Sequence, residues 1–264
     1  VGHYHILYST DGVNFGYKDY TSGTEDYISG LATGKKYYVK IQALADDKYH
    51  FEESDNFAVD NVIAESEMLE VATKPEVEKP TNLHQTAATA TTASFAWDAV
   101  KGATSYTVYR ADSWSNYVKI GDVTSNKCTI SGLTNSYAAD YLVTATTQVS
   151  LNNGKNFVSA TSYNSNTVTL KTTPSKTLGV AMTNYYDNIN VAYFGWANTN
   201  NCDGYQFQIL TYKGKKLVDN YVTGSSIRID PFKKGVFTKT RVRAYINVNG
   251  KKVFGAWSSN AYYA

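Results

Sequence analysis

Apolar and polar residues alternate through most of this chain with a period of two, the pattern of a β-strand that buries one face and exposes the other. The alternation is clearest at residues 92–97, 106–108, 141–145 and 242–246. Residue pairs that accept positive φ in tight hairpins stand between such runs, at Asp11-Gly12, Asn153-Gly154, Lys213-Gly214 and Asn249-Gly250. Because the sequence carries no long helical pattern, we predict an all-β fold.

Two polar stretches with prolines, residues 73–80 and 171–175, interrupt the alternation. Prolines away from apolar runs are typical of short, semi-rigid linkers between domains. A chain of 264 residues also suits two or three domains of roughly 100 residues each. The breaks therefore predict three domains, at 1–76, 77–174 and 175–264.

A tryptophan–tyrosine spacing occurs twice. Trp97 precedes Tyr106 by nine residues, and Trp196 precedes Tyr205 by the same nine. A shared spacing of this kind is the mark of an internal repeat. It predicts that both tryptophans occupy the same inward position of a strand and belong to the core.

A second repeat is the sequence Ile-Ser-Gly-Leu, which occurs at residues 28–31 and again at 130–133, with residues 229–232 in the same place of the last segment. Together these residues resemble the fibronectin type III family, whose modules carry a Trp on the second strand and a Tyr-x-Val pattern on the third. The third-strand pattern is supplied by Tyr4-His5-Ile6, Tyr106-Thr107-Val108 and Tyr205-Gln206-Phe207. The resemblance implies a tandem of immunoglobulin-like β-sandwiches.

The same family places a Leu six residues before a Tyr whose phenol hydrogen-bonds to backbone, the tyrosine corner. Leu31 and Tyr37 have this spacing, whereas Leu133 and Tyr141 are two residues further apart. In the last segment Thr238 stands where the tyrosine is expected, so we expect no corner there.

The first segment is expected to be incomplete. Its matching residues begin at Tyr4, which already belongs to the third strand of the family pattern. A sandwich without two strands leaves apolar surface in water at roughly 25 cal/mol per Å². We expect the missing strands to have been cut away at a chain boundary or, alternatively, to come from a partner.

Composition gives no electrostatic reason to expect a nucleic acid or an anionic membrane as partner, since 18% of residues are charged and the formal net charge is +2. Arg241 and Arg243 are interpreted as the solvated face of one strand. Cys128 and Cys202 fall in different predicted domains, so no disulfide is expected. No apolar run is long enough to span a bilayer, and we expect no membrane insertion.

The candidate chemistry favours a protein that is not an enzyme and holds no cofactor or metal. His3 and His5 share one strand face, yet they read as exposed histidines. The acidic residues of the long connection lack the spacing of a calcium loop; they are Glu52, Glu53, Asp55 and Asp60. No nucleophile–histidine–acid set, phosphate loop or zinc motif can be assembled.

The candidate ligand-binding residues are Trp114, Tyr117, Asn153 and Asn249. Trp114 and Tyr117 lie in a polar connection, where exposed rings can stack on a sugar or anchor a protein, although a ring folded over its own domain is also expected of such loops. Asn153 and Asn249 occupy the tips of predicted hairpins. The pair Tyr262 and Tyr263 should place one ring inward and one outward.

The resemblance and the Lys-, Asn- and Tyr-rich, cysteine-poor composition imply a bacterial surface or secreted protein. We expect a non-catalytic, extracellular or cell-surface spacer that presents other domains. The alternative is an adhesion domain that binds a glycan or a surface protein through loop aromatics.

Overall fold

A computed structural model describes residues 3–45, 62–112, 116–233 and 235–263 of the chain. In these residues the regular structure consists of antiparallel strands and one short 3-10 turn, Asn152–Gly154. The predicted all-β fold of tandem sandwiches, the first of them incomplete, is confirmed.

The first segment forms a single five-stranded sheet. Its strands are β1 (His3–Ser9), β2 (Gly16–Thr21), β3 (Lys36–Leu44), β4 (Val62–Glu65) and β5 (Leu69–Ala72). They are ordered β2-β1-β3-β4, and β5 also pairs with β3. Within the described part of the chain before Pro80, no second sheet covers this one, as the sequence predicted.

The middle segment builds two sheets. The three-stranded sheet has the order β10-β7-β6 and contains β6 (His84–Ala88), β7 (Ala93–Ala96) and β10 (Lys127–Ile130). The five-stranded sheet has the order β12-β11-β8-β9, and its strands are β8 (Ser105–Ala111), β9 (Tyr117–Val123), β11 (Ala138–Leu151), β12 (Asn156–Thr161) and β13 (Val168–Lys171), which pairs with β11. The core lies between the sheets, where Phe95 meets Tyr141 and Trp97 meets Tyr106 with ring centroids 6.0 and 5.2 Å apart.

The last segment repeats this plan. Its three-stranded sheet has the order β14-β15-β18 and contains β14 (Ala181–Tyr186), β15 (Val191–Gly195) and β18 (Ser226–Ile229). Its five-stranded sheet has the order β17-β16-β19-β20, and its strands are β16 (Gly204–Thr211), β17 (Lys216–Val222), β19 (Thr238–Val248), β20 (Lys251–Phe254) and β21 (Ala261–Tyr263), which pairs with β19. Trp196 and Tyr205 again touch, with centroids 5.5 Å apart. Both tryptophans are buried, which confirms their predicted core position.

A serine lies between the last two strands of each five-stranded sheet and makes the same contacts in all three. The Ser258 hydroxyl accepts the Val242 N–H at 3.0 Å and donates to the Ser259 carbonyl at 2.9 Å. Ser66 does the same for Ile41, and Ser165 for Val143. Because the strand leaves the ladder at this point, the hydroxyl satisfies a backbone donor that the kink would otherwise orphan.

The tyrosine corner differs between segments. The Tyr37 hydroxyl accepts the Ala32 N–H at 2.8 Å, as the leucine–tyrosine spacing predicted. In the middle segment the longer connection brings in Tyr137, whose hydroxyl lies 2.9 Å from that of Tyr141. Burial, followed by this contact, raises the pKa of Tyr141 far above its usual value.

Internal contacts divide the chain into two compact units. One contains Val1–Lys79, Val100–Ser105 and Ala145–Tyr163, and the other contains Pro80–Ala99, Tyr106–Thr144 and Asn164–Ala264. This division differs from the domain boundaries expected at 1–76, 77–174 and 175–264, which stay a prediction.

Candidate binding surface

The first pair of predicted site residues lies at the connection between β8 and β9. Tyr117 is exposed and begins β9, opposite Ala111. The connection is closed by the Asp112 N–H, which donates to the Asn116 carbonyl at 2.8 Å, and by the Asn116 N–H, which donates to the Asp112 carboxylate at 3.0 Å. Trp114 lies outside the described residues, as do the acidic residues Glu52, Glu53, Asp55 and Asp60.

The two predicted asparagines occupy hairpin turns with positive φ. Asn153 has φ 55° within the 3-10 turn, and the adjacent Asn152 N–H donates to the Glu70 carboxylate at 2.6 Å. Asn249 has φ 48° and precedes Gly250 in the turn between β19 and β20. The hairpins are therefore confirmed as turns, whereas ligand binding at Tyr117, Asn153 and Asn249 stays a prediction.

The sequence analysis missed a more extensive surface on the last segment, on the outer face of its five-stranded sheet. Thr240, Val242 and Ala244 of β19 are fully buried. Since neighbouring side chains of a strand point to opposite faces, the residues between them, Arg241 and Arg243, point outward.

The two arginines stack on aromatic rings. The Arg241 guanidinium lies 4.1 Å from the centroid of the Trp257 ring. Arg243 is the next outward residue of β19, and its guanidinium lies 4.3 Å from the centroid of the same ring. Arg243 also lies 3.7 Å from the Phe254 ring centroid. Cation–π contacts of this length stabilise each group by roughly 0.5–1 kcal/mol at exposed sites. The two arginines therefore share an outward face, as the sequence indicated, but they are packed on aromatic rings and not simply solvated.

Buried glutamines fix the orientation of these guanidinium groups. Arg241 Nε donates to Gln208 Oε1 at 2.9 Å, and Arg243 Nε donates to Gln206 Oε1 at 2.8 Å. Gln206 in turn donates to the Asp219 carboxylate at 2.7 Å. Because each Nε is bound to the glutamine directly opposite on β16, the orientation of each guanidinium group is fixed.

The row continues in both directions from the arginines. At one end the Lys252 ammonium lies 5.0 Å from the Tyr245 ring and 5.3 Å from the Tyr221 ring. At the other end Phe237 touches Tyr212 and Tyr262, with centroids 5.5 and 6.0 Å apart.

These last three rings are open to solvent. Their exposed fractions are 68% for Tyr212, 48% for Phe237 and 53% for Tyr262. Lys239 pairs with Tyr262 across β19 and β21, which brings their side chains to the same face. Tyr263 packs inward against Phe194, so the expected division of this tyrosine pair is confirmed. We call the outward residues Tyr212, Phe237, Lys239, Arg241, Arg243, Tyr245, Lys252, Phe254, Trp257 and Tyr262 the aromatic–cationic face.

The charge of the last segment is strongly one-sided. Residues 175–264 contain 12 Lys and Arg against 4 Asp and no Glu, whereas residues 1–76 contain 6 Lys against 14 Asp and Glu. The formal net charge of the whole chain, +2, does not show this difference between the first and last segments. Burial and the neighbouring Arg241 charge lower the pKa of Arg243 from its usual value, although a guanidinium stays cationic at neutral pH.

The middle segment offers a comparison at matched positions. Thr169 pairs with Asp140 there, in the place that Tyr262 and Lys239 occupy in the last segment. Ala138 stands where the last segment has Phe237. The same backbone thus carries a small and acidic pair in one segment and an aromatic and basic pair in the other. Two signals in the sequence could have revealed the aromatic–cationic face: the net charge of each segment counted separately, and the alternate residues of β19 that point outward.

In the described part of the chain, no three His, Cys, Asp or Glu side chains gather closely enough to hold a metal ion. Both cysteines are free and half-buried, and the Cys202 thiol donates to the Thr199 carbonyl at 3.1 Å. None of the described residues belongs to a helix with the length and apolar character needed to cross a membrane.

Comparisons with known proteins found similar solved structures only. No family model matches the chain, and no curated protein matches it. Among solved structures, the FN1–FN3 domains of chicken CNTN1 are 12% identical over 99% of this chain and 88% of theirs, with a TM-score of 0.40. A two-domain fibronectin type III segment of chicken tenascin is 16% identical over 70% of this chain and 97% of its own, with a TM-score of 0.31. These values carry no argument about function, so the architecture rests on the sheets described above.

Proposed function

We propose that this chain is a non-catalytic spacer of a larger extracellular or cell-surface protein, which holds other domains at a fixed distance. The observation that carries this proposal is the junction between the middle and last segments, around residues 171–176. There the connecting chain is fixed by side chains from both directions, so that bending requires several hydrogen bonds to break.

An ion pair forms the first part of this junction. The Lys171 ammonium lies 2.5 Å from the Asp203 carboxylate, with each side chain only 26% exposed. The second oxygen of Asp203 accepts the Asn247 N–H at 2.6 Å. A partly buried, doubly hydrogen-bonded carboxylate is held more firmly than an isolated surface pair, whose contribution is about 0–1 kcal/mol.

Backbone contacts form the second part. The Asn201 amide donates to the Ser136 carbonyl at 2.7 Å, and the Ser175 N–H donates to the Ser136 hydroxyl at 2.9 Å. A Cβ added to Gly255 would lie 2.5 Å from the Pro174 carbonyl oxygen, so the two backbones approach more closely than any other residue type allows. Such a linker behaves as a stiff connection rather than a flexible tether.

The perturbed groups support a role without catalysis. The groups with raised pKa values include the core phenols of Tyr141 and Tyr205, where burial is the first cause. The lowered carboxyl pKa values include Glu65 and Asp122, each beside a lysine on the surface. Neither arrangement is a cleft with a paired acid and base. The extracellular setting rests on composition and on the resemblance of the repeats.

Distance measurements across the junction test the proposal. Spin labels are placed at Lys119→Cys and Lys251→Cys in a chain with Cys128→Ser and Cys202→Ser, and the distance distribution is measured by pulsed electron resonance. A spacer gives one narrow distribution, which broadens in Asn201→Ala/Asp203→Ala. The control is Asp122→Ala, which removes a surface ion pair with Lys119 away from the junction. For this control the label is moved from Lys119→Cys to another site, so that Lys119 is retained. The width of the distance distribution should then stay unchanged. A broad distribution in the parent chain contradicts the proposal.

A second candidate function is recognition of a glycan or a protein partner. The exposed rings of Tyr212, Phe237 and Tyr262 favour it, because rings of this kind are enriched at binding sites and rarely cluster in open solvent without a role. The predicted loop residues Trp114, Tyr117, Asn153 and Asn249 belong to the same proposal. A glycan array read with Trp114→Ala and Tyr117→Ala separates a loop site from the face of the last sheet.

A further inference from the structure

The aromatic–cationic face combines two features that point to one class of ligand. Its rings present flat apolar surfaces to solvent, and its cations alternate with those rings along the sheet. Outward residues of a strand recur every two positions, or about 7 Å. Lys239, Arg241 and Arg243 therefore form a row of positive charges with regular spacing.

No direct ion pair within the described chain neutralises these charges, and the Asp219 carboxylate attracts Arg243 only at longer range. The ion pairs of the last segment use Lys171 with Asp203, Lys216 with Asp219 and Arg228 with Asp230. Among the described residues no ion pair includes Lys239, Arg241 or Arg243. Like charges on one face repel each other, and an anionic ligand that lies along the row relieves this repulsion.

We propose that the aromatic–cationic face binds an acidic polysaccharide, a chain of sugar rings that carries carboxylate or sulfate groups. The apolar C–H face of a sugar ring stacks on an aromatic side chain, while its acidic substituent reaches a neighbouring lysine or arginine. The ligand class follows from this pairing of ring and charge. It goes beyond the spacer role and can fail without affecting it.

The contacts among the rings favour a sugar chain over a single-stranded nucleic acid. Phe237 already touches Tyr212 on one side and Tyr262 on the other, at 5.5 and 6.0 Å between centroids. A base that stacks by insertion between aromatic side chains has no gap to enter. A ligand must instead lie across the outer side of the row, which suits a chain of linked rings.

The middle segment provides a matched face that should not bind an acidic ligand. At the matched positions of the middle segment Asp140 and Thr169 replace Lys239 and Tyr262, and an acidic side chain there repels an acidic ligand. The proposal therefore places binding on the last segment and predicts none on the corresponding face of the middle one.

The test measures binding of the full chain to immobilised polygalacturonate, dextran sulfate and neutral dextran by biolayer interferometry. We expect binding to one or both acidic polymers, none to dextran, and a loss of affinity as salt rises from low to physiological concentration. Carboxylate and sulfate are distinguished by which acidic polymer binds more tightly.

The test variant is Lys239→Gln/Tyr262→Ala, which removes one charge and one exposed ring and leaves the core untouched. We expect it to weaken binding about tenfold or more. The matched control is Lys155→Gln/Tyr163→Ala, which removes an exposed lysine and an exposed tyrosine elsewhere. It should bind as the parent does.

Several results overturn the proposal. They are equal binding of acidic polymers and dextran, undiminished binding by the test variant, or equal loss in the control. A single-stranded oligonucleotide is included as a fourth probe, and tighter binding to it than to both acidic polysaccharides assigns the face to a different ligand class. Circular dichroism of each variant confirms that the sheets are retained.

Discussion

The first and middle segments contain the same Ile-Ser-Gly-Leu sequence, with its glycine at φ 73° in both, but a strand leads into it only in the middle segment. In the middle segment the residues before it form β10, which pairs with β7 from Lys127–Ala96 to Ile130–Ala93. In the first segment residues 25–29 form no strand, and Tyr27 is 87% exposed. Tyr27 and Ile28 are residue types favoured in strands, yet they form none where the described residues supply no partner strand.

The same difference reaches the core. Ile41 and Val143 occupy equivalent positions beside the gap between the last two strands, each with a backbone N–H bound to a serine hydroxyl. Val143 is fully buried, whereas Ile41 is 44% exposed. Without a facing sheet in the described residues, an apolar side chain on the inner face gains only part of its burial free energy.

The largest expected contrast is between core truncations in the two segments. Trp97→Ala should destabilise the middle segment by about 3–5 kcal/mol, because it empties a large volume between two packed sheets. Ile41→Ala in the first segment should cost less than about 1 kcal/mol, since the side chain is already half in water. Hydrogen exchange of the β7, β8 and β3 amides in denaturant measures each segment separately, which a multi-domain chain requires.

Trp97→Phe serves as the control, because it keeps most of the apolar volume and should cost less than Trp97→Ala. Equal costs for Trp97→Ala and Ile41→Ala would remove the comparison, since they would show that the inner face of the first sheet is covered as completely as that of the middle one.

A smaller contrast is expected at the serine of the kinked strand. Ser258→Ala should destabilise the last segment by about 1–3 kcal/mol, because the buried Val242 N–H loses its acceptor. Ser66→Ala should cost under about 1 kcal/mol, since water can replace the hydroxyl at this exposed site. Thermal unfolding compares the two variants, with Ser258→Thr and Ser66→Thr as controls that retain a hydroxyl. Equal costs for Ser258→Ala and Ser66→Ala would show that exposure is unimportant.

The tyrosine corner offers a contrast within the first and middle segments. Tyr37→Phe removes the acceptor of the Ala32 N–H and should destabilise the first segment by about 1 kcal/mol. Tyr141→Phe removes only a contact with another hydroxyl, that of Tyr137, and should cost less. Exchange rates of the Ala32 amide report the first effect directly, and an unchanged rate in Tyr37→Phe would contradict it.

The smallest expected effect is on stability at low pH, and it should be similar in the first and middle segments. Hydrogen bonds from Lys40 and Gln42 lower the pKa of Glu65, and a hydrogen bond from Lys119 followed by one from Thr107 lowers that of Asp122. A depressed folded pKa means that the stabilisation is present above the unfolded pKa and is lost as pH falls through the folded pKa. Both carboxyls lie at the surface, so Glu65→Gln and Asp122→Asn should each change the acid limb of a pH–stability profile only slightly. A large change in the acid limb for only one of the two variants would contradict this expected similarity between the segments.

The sequence predicted the repeat architecture well because period-two alternation, tryptophan spacing and turn dipeptides are local signals. Trp97, Trp196, Tyr37 and the turn at Asn249 were found where the pattern placed them. The surface residues were harder to find. Arg241 and Arg243 were recognised as sharing a face, but their contacts with Trp257 and Phe254 join residues more than ten positions apart, and no local period reports such a contact.

The sequence by itself determined the all-β class and the positions of the core aromatics, and it predicted the incomplete first sandwich that the described residues form. Backbone alternation and side-chain size set which faces can be buried. Only the tertiary structure decided whether residues 25–29 form a strand, how residues 171–176 are fixed, and which outward side chains meet in one row. These outcomes depend on partners supplied by distant strands, and the free energy of a pairing or a stacking contact exists only when both members are brought together.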